Sequence, residues 1–340
     1  MDATAKEILT NLKAGKYDPV YVLQGEETYY IDLIANYIEA NAIQDSERSF
    51  NQVIVYGKDV TVAVILTNAK RFPMMAPRQL VIVREAQDIP DLQKDMGAKL
   101  MLDYISKPAP STVLVLCHKH KTLDKRKELG KKIEQLTTSA TFKKTYENQL
   151  PPFVLEYVKD KGFKIDDAGV RILCEYVGND LNRMTNEIDK VLIAVSKGDT
   201  ITADNVMSQV GISREYNIFE LQKALIQKDS FLANKIVNYF ESNTKKNPVI
   251  ALVAFLYSFF SKLLVASTTS DRSERGLVSL LKISPFAAKD YSAALQRYGT
   301  LKIIDNISSL KQADLKLKGV NSGSEGEGQI LKELVFRLMH

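Results

Sequence analysis

Five short apolar runs alternate with stretches of helical spacing through the first 145 residues, and this alternation constrains the chain more than any other feature. The runs lie at 20–23, 52–55, 80–83, 112–116 and 140–143. The central ones are unbroken rather than alternating with polar residues, as strands are when both faces of a sheet are covered. Between them, Tyr30, Ile31, Ile34, Tyr37 and Ile38 recur at one helical face, and residues 60–69, 96–106 and 123–136 read as further helices. Strand followed by helix, repeated in this way, predicts an α/β domain with a mostly parallel, doubly wound, Rossmann-like sheet.

At Pro151-Pro152 the strands are expected to stop. Phe153, Val154, Tyr157 and Val158 form one stripe, residues 168–177 another, and Leu181, Met184, Ile188 and Leu192 a third, capped by Asn179 or Asp180. Residues 202–210 make a short fourth helix. From 211 onward the pattern is helical again, at 218–227, 231–241, 248–266, 276–281, 285–297, 301–317 and 329–338, with a flexible Gly/Ser/Glu loop at 321–328. The expected organisation is a Rossmann-like domain at 1–149, a small helical lid at 150–210 and an all-α bundle at 211–340. Residues 249–260 are almost continuously apolar, but Lys262 interrupts the run short of the roughly 18–20 residues a bilayer span needs. A buried bundle helix is expected there, with Pro248 in its first turn and Lys245-Lys246-Asn247 as a polar approach.

Composition narrows the chemistry. Two cysteines in 340 residues exclude a disulfide scaffold beyond one bridge and fit a reducing cytosol, and three histidines leave little for a zinc site. The first ten residues hold Asp2, Lys6 and Glu7 and lack the apolar core of a signal peptide, so a cytoplasmic location is expected. The net charge of +5 permits nucleic-acid contact without demanding it. It is spread as +2, −3 and +6 over the three regions.

In a doubly wound domain, nucleotide phosphates dock on the loop after the first strand. Here that loop is Gln24-Gly25-Glu26-Glu27-Thr28, with one glycine, no lysine and two acids where phosphates would sit. A phosphate-binding loop needs several glycines, a lysine and a Ser/Thr for magnesium. Gly25, Glu26 and Glu27 therefore read as a degenerate nucleotide site, with the glutamates favouring a helix N-terminus through its dipole. No acidic pair follows the strands at 80–83 or 112–116 to hold magnesium. No cofactor and no metal are expected.

These residues resemble a known family. Tyr21-Val22-Leu23-Gln24-Gly25-Glu26-Glu27 before an amphipathic helix is similar to the delta subunit of the bacterial DNA polymerase III clamp loader. So are the stretch from Gly178 to Lys190 (GNDLNRMTNEIDK), Asn217-Ile218-Phe219-Glu220-Leu221, Ser284-Pro285-Phe286-Ala287-Ala288-Lys289 and Ala313-Asp314-Leu315-Lys316-Leu317-Lys318-Gly319. The matches span nearly the whole chain in the family's order. The resemblance implies a non-ATPase AAA+ protein with AAA+ domain, lid and oligomerising collar. It implies a subunit that opens the ring-shaped sliding clamp, beta, within a hetero-oligomer of ATPase subunits (gamma or tau) and delta-prime, so that the ring closes on primed DNA. No catalysis of its own is implied, although the assembly it serves polymerises DNA, and no membrane is involved. The clamp-binding element is implied within 70–79, where Ala76-Pro77-Arg78-Gln79 fits the family pattern and brings Met74 and Met75 onto its apolar pair, with Phe72 one turn back. Many relatives carry Leu-Phe at that pair. Pro73 and Pro77 bracket the methionines and limit the entropy lost on docking, and methionine adapts to irregular pockets. Packing of all three side chains into the domain's own core is the competing reading.

Other candidates are weaker. His118-Lys119-His120 reads as a solvated loop rather than a metal site, and Cys117 and Cys174 as small core residues. Between 117 and 146 there are nine Lys/Arg against three acids, a solvated helix face before a nucleic-acid track. Lys316 and Lys318 are candidate DNA contacts. Ser213-Arg214-Glu215 is not the Ser-Arg-Cys motif of delta-prime, whose zinc-binding cysteines this chain also lacks. Two rival functions are an active AAA+ ATPase and a helical protein that binds nucleic acid alone.

Overall fold

A computed structural model describes residues 2–210, 216–243, 248–320 and 325–340, which form two compact units, 1–145 and 146–340. The Lys245-Lys246-Asn247 approach, residues 321–324 of the Gly/Ser/Glu loop and the Ser213-Arg214-Glu215 stretch lie outside the described residues.

In the first unit the apolar runs become β1 (Val20–Gly25), β2 (Gln52–Tyr56), β3 (Gln79–Arg84), β4 (Thr112–Lys119) and β5 (Thr138–Phe142). They form one parallel sheet in the order β2-β3-β4-β1-β5. β1 sits inside it, with Leu23 opposite Cys117 on one side and Ala140 on the other. α2 (Thr28–Asn41) follows β1, the short α3 (Arg48–Asn51) precedes β2, and α4 (Val62–Ala69), α5 (Asp95–Ser106) and α6 (Glu128–Leu136) supply the crossovers. One sheet face, through Val20, Val22, Val81, Val83, Leu114 and Leu116, packs on Ile65, Leu66, Met101, Tyr104 and Ile133. The alternate residues Tyr21, Leu23, Leu80, Ile82 and Val115 are buried as well, and α2 packs against the sheet through strands β1 and β4. Both faces are covered, which is why the runs are unbroken. An additional helix, α1 (Ala3–Lys13), opens the chain. Asp2 caps it by accepting from the Thr4 and Ala5 amides, and Ala5, Ile8, Leu9 and Leu12 are buried.

The second unit holds α7 (Leu150–Asp160), α8 (Asp167–Val177), α9 (Leu181–Ile193), α10 (Ala203–Val210), α11 (Ile218–Gln227), α12 (Ser230–Ser242), α13 (Val249–Ser267), α14 (Glu274–Leu281), α15 (Ala288–Arg297), α16 (Thr300–Leu317) and α17 (Glu327–Met339). Asp180 caps α9, accepting from Arg183 N at 3.0 Å. Strands do not stop entirely. β6 (Lys164–Ile165) and β7 (Thr200–Ile201) pair in parallel, too short to leave a period in the sequence. The lid–bundle boundary expected after Val210 abuts residues 211–215, outside the described chain.

α13 has the length expected from 248–266, 19 residues, and runs through Lys262 to Ser267. An 18-residue stretch of it has mean hydropathy 2.2, long and apolar enough by length and composition to cross a membrane. Yet Val249, Leu252, Val253, Leu256, Phe259, Phe260, Leu263 and Ala266 are buried at helical spacing in the bundle core. Phe260 meets Tyr298 edge-on at 5.4 Å, and Tyr298 donates to Leu225 O at 2.8 Å. Lys262 is tolerated because its Nζ lies 2.5 Å from a Glu147 carboxylate oxygen.

Candidate functional site

α4 ends at Ala69, and the chain from there to β3 forms a loop with an unusual division of roles. Its side chains face water: Phe72 is 88% exposed, Met74 53% and Met75 101%. Its backbone is held from beneath. Asn51, 2% exposed, accepts from Met74 N at 2.7 Å and donates to Met74 O at 2.9 Å. At the other end, buried Gln79 points its amide nitrogen at Arg71 O (2.5 Å), Asn68 O (3.1 Å) and Thr112 Oγ1 (2.8 Å), while Thr112 donates to Ala69 O at 2.8 Å. Arg78 lies over the Tyr17 ring at 4.5 Å. Met75 takes a left-handed backbone, φ 54°, a strained state that persists only where surrounding bonds over-determine it. The chain thus displays three adjacent large apolar side chains on a fixed backbone instead of folding them inward. Sequence reasoning missed Asn51, since a buried amide 23 residues away leaves no local pattern. It saw Gln79 only as part of a motif, and it missed Phe50, next to Asn51 and 61% exposed.

At the C-terminal end of β1, the loop read as a degenerate nucleotide site packs closely against the end of β5. Gly25 has φ +124°, and a Cβ there would strike the Phe142 backbone, so only glycine fits. Glu26 is exposed. Glu27 is buried at the start of α2; its N–H donates to Phe142 O at 3.2 Å and its carboxylate accepts from Thr145 N at 3.2 Å. Beyond its position at the helix start, Glu27 therefore stitches α2 to the chain leaving β5. The Glu27 amide that could face a phosphate is already used.

Beside this loop, β3 and β4 end in an ion network. Arg84 pairs with Glu39 at 2.6 Å and Asp32 at 3.4 Å, and Lys119 with Asp32 at 3.0 Å and Glu85 at 3.1 Å. Burial raises the Glu85 carboxyl, but hydrogen bonds from Gln87 and Lys119 outweigh it and hold the group below the ordinary range. The solvated-loop reading of His118-Lys119-His120 is corrected here, because β4 runs through Lys119. His118 is 1% exposed, its Nδ1 lies 2.9 Å from Lys121 O, and burial holds it below the usual histidine range. Cys117 and Cys174 are buried, and burial pushes each thiol up to about 12. Among the described residues no three His, Cys, Asp or Glu side chains cluster as metal ligands.

The basic candidates are committed to neighbours. Lys316 reaches Glu325 and Glu333, both at 2.9 Å, and Lys318 reaches Asp314 at 2.7 Å. In the basic run, Lys125 pairs with Glu134 and Arg126 with Asp124; the helix expected from 123 starts only at Glu128, so Asp124, Lys125 and Arg126 precede it.

Residues 21–144 match the family model described as DNA polymerase III, delta subunit. A curated relative, DNA polymerase III subunit delta of Bacillus subtilis (strain 168), is 25% identical over 289 residues, 83% of each chain. Among solved structures, the Bacillus subtilis DNA clamp loader delta protein (YqeN) superposes with a TM-score of 0.65 at 23% identity, covering 98% of this chain and 99% of that one. That likeness extends the shared fold over both units.

Proposed function

We propose, for a chain of the DNA polymerase III delta-subunit family, that it serves as the clamp-opening member of a clamp loader. In this reading Phe72, Met74 and Met75 dock on one protomer of the ring-shaped sliding clamp and hold one ring interface open. Gamma or tau ATPase subunits and delta-prime expose or withdraw the loop, and the ring closes around primed DNA. The division into AAA+ domain (1–149), lid (150–210) and collar (211–340) belongs to the same reading, as does a place with the cytoplasmic replication machinery. So does a first loop, at Gly25, Glu26 and Glu27, that does not bind nucleotide.

The observation that carries this reading is the loop at 70–79, which exposes three apolar side chains on a backbone pinned by Asn51 and Gln79. Burying three such side chains contributes roughly 1.5–3 kcal/mol each. A DNA contact through Lys316 and Lys318 has less behind it, since both would have to leave their carboxylate partners. The test is capture of the full chain on the sliding clamp of its own organism, measured by surface plasmon resonance. Wild type should bind, and Met74→Ala with Met75→Ala should abolish binding while the melting temperature stays unchanged. No wild-type binding, or binding retained by the double variant, overturns the assignment.

A further inference from the structure

Within the second unit, α8, α11, α13 and α15 line a partly open cleft of about 230 Å³ for which the clamp-loader reading has no use, and the inference from it does not rest on that reading. Gln222 of α11 lines it. This side chain is 7% exposed, and its amide has no hydrogen-bond partner among the described residues. Two carboxylates, Glu175 of α8 and Asp290 of α15, line the same space and join no hydrogen bond or ion pair among the described residues. Arg171 on α8 and Lys223 on α11 stand near enough to favour their charged forms, but Lys223 Nζ is bound to Glu220 at 2.8 Å. Lys262 at the rim is neutralised by Glu147. Aromatic rings complete the wall, with Phe219 and Phe255 edge-on at 5.4 Å and Tyr291 beyond them.

The Gln222 amide oxygen and the two partly buried carboxylates offer acceptors to this space, with only the Arg171 and Lys223 charges set against the carboxylates. An anion would be repelled. A metal ion would lack a third ligating side chain of the usual kinds. The aromatic wall suits the face of an organic cation. Guanidinium answers all three demands, with a planar fork of N–H donors for carboxylate and amide oxygens and a weakly hydrated face for the rings. We propose that this cleft is a binding site for a guanidinium group, carried either by a free small molecule or by an arginine side chain of another protein. The space exceeds the roughly 30 Å³ of one water several-fold, enough for the group and part of its stem.

Burial, assisted by the Asp290 and Glu220 charges against those of Arg171 and Lys223, pushes the Glu175 carboxyl up to about 7, and burial raises Asp290 too. A cation binds the ionised form, so its affinity must rise with pH through that range. The test titrates the full chain with agmatine, by calorimetry, at pH 6 and pH 8. Saturable binding is expected at pH 8, weaker by about tenfold at pH 6, where about nine-tenths of Glu175 is protonated. Glu175→Gln and Asp290→Asn should each weaken it at least about tenfold, for loss of one charge-assisted contact. In the unmodified chain, agmatine should protect Glu175 from carbodiimide coupling, a readout independent of whether the variants fold. A capped arginine tripeptide binding more tightly than agmatine assigns the group to a protein side chain; the reverse order assigns it to a free molecule. Absence of agmatine binding at pH 8, binding indifferent to pH or to both substitutions, or Glu175 left unprotected would overturn the proposal.

Discussion

Asn51 decides how the exposed loop at 70–79 is read. A free ten-residue loop would lose on the order of 10–20 kcal/mol of backbone entropy on docking, at about 1–2 kcal/mol per residue. Three apolar side chains return less than that. Display is therefore useful only if the backbone is ordered beforehand, and the paired bonds between the Asn51 amide and Met74 supply part of that order. Asn51→Ala should destabilise the fold by about 1–3 kcal/mol in urea denaturation, because it leaves both Met74 backbone groups without their buried partner. It should also weaken clamp capture although every apolar contact residue remains. Unchanged stability and unchanged capture together would show that the loop orders itself by other means.

At the scale of elements, α13 and the β1–α2 turn each carry a distinction that composition hides. α13 passes a length-and-hydropathy test for a membrane span, yet its buried residues fall on one face with Phe260 fully enclosed, while Tyr257 is about half exposed. Phe260→Ala should cost about 3–5 kcal/mol in thermal or chemical unfolding, and Tyr257→Ala no more than about 0.5 kcal/mol. Equal losses would contradict the one-sided packing. The β1–α2 turn keeps the position of a phosphate loop, but Gly25 is pressed against Phe142 and the Glu27 N–H is bonded to the same residue's carbonyl. The turn that cradles phosphate in related sheets here joins two strands and a helix.

For the whole molecule, the two compact units predict separable behaviour. Residues 1–145 contain the complete five-stranded sheet, both of its covered faces and the 70–79 loop. Expressed alone, this unit should unfold in one cooperative transition and keep its capacity for clamp capture, as followed by circular dichroism and surface plasmon resonance. A fragment that folds without binding would place part of the docking surface in residues 146–340. A fragment that fails to fold would show that the first unit's core is incomplete by itself.

The sequence alone determined the parallel sheet and most of the helices, because covering both faces of β1, β3 and β4 demands unbroken apolar runs and a packed helix demands a periodic stripe. It also carried the lack of a phosphate-binding lysine and the resemblance that led to the loop at 70–79. It did not carry α1, whose few buried positions follow a capping Asp2, nor β6 and β7, two residues each. Nor could it show that His118 lies buried within a strand rather than in a solvated loop. Whether Phe72, Met74 and Met75 face water or core was decided only by tertiary structure, through amides 23 and 8 residues away from the backbone atoms they hold. The same holds for the cleft at Glu175, Gln222 and Asp290, where three helices bring together groups that no sequence spacing relates. Periodicity records which face of an element is buried, whereas long-range side-chain bonds depend on where the elements come to rest.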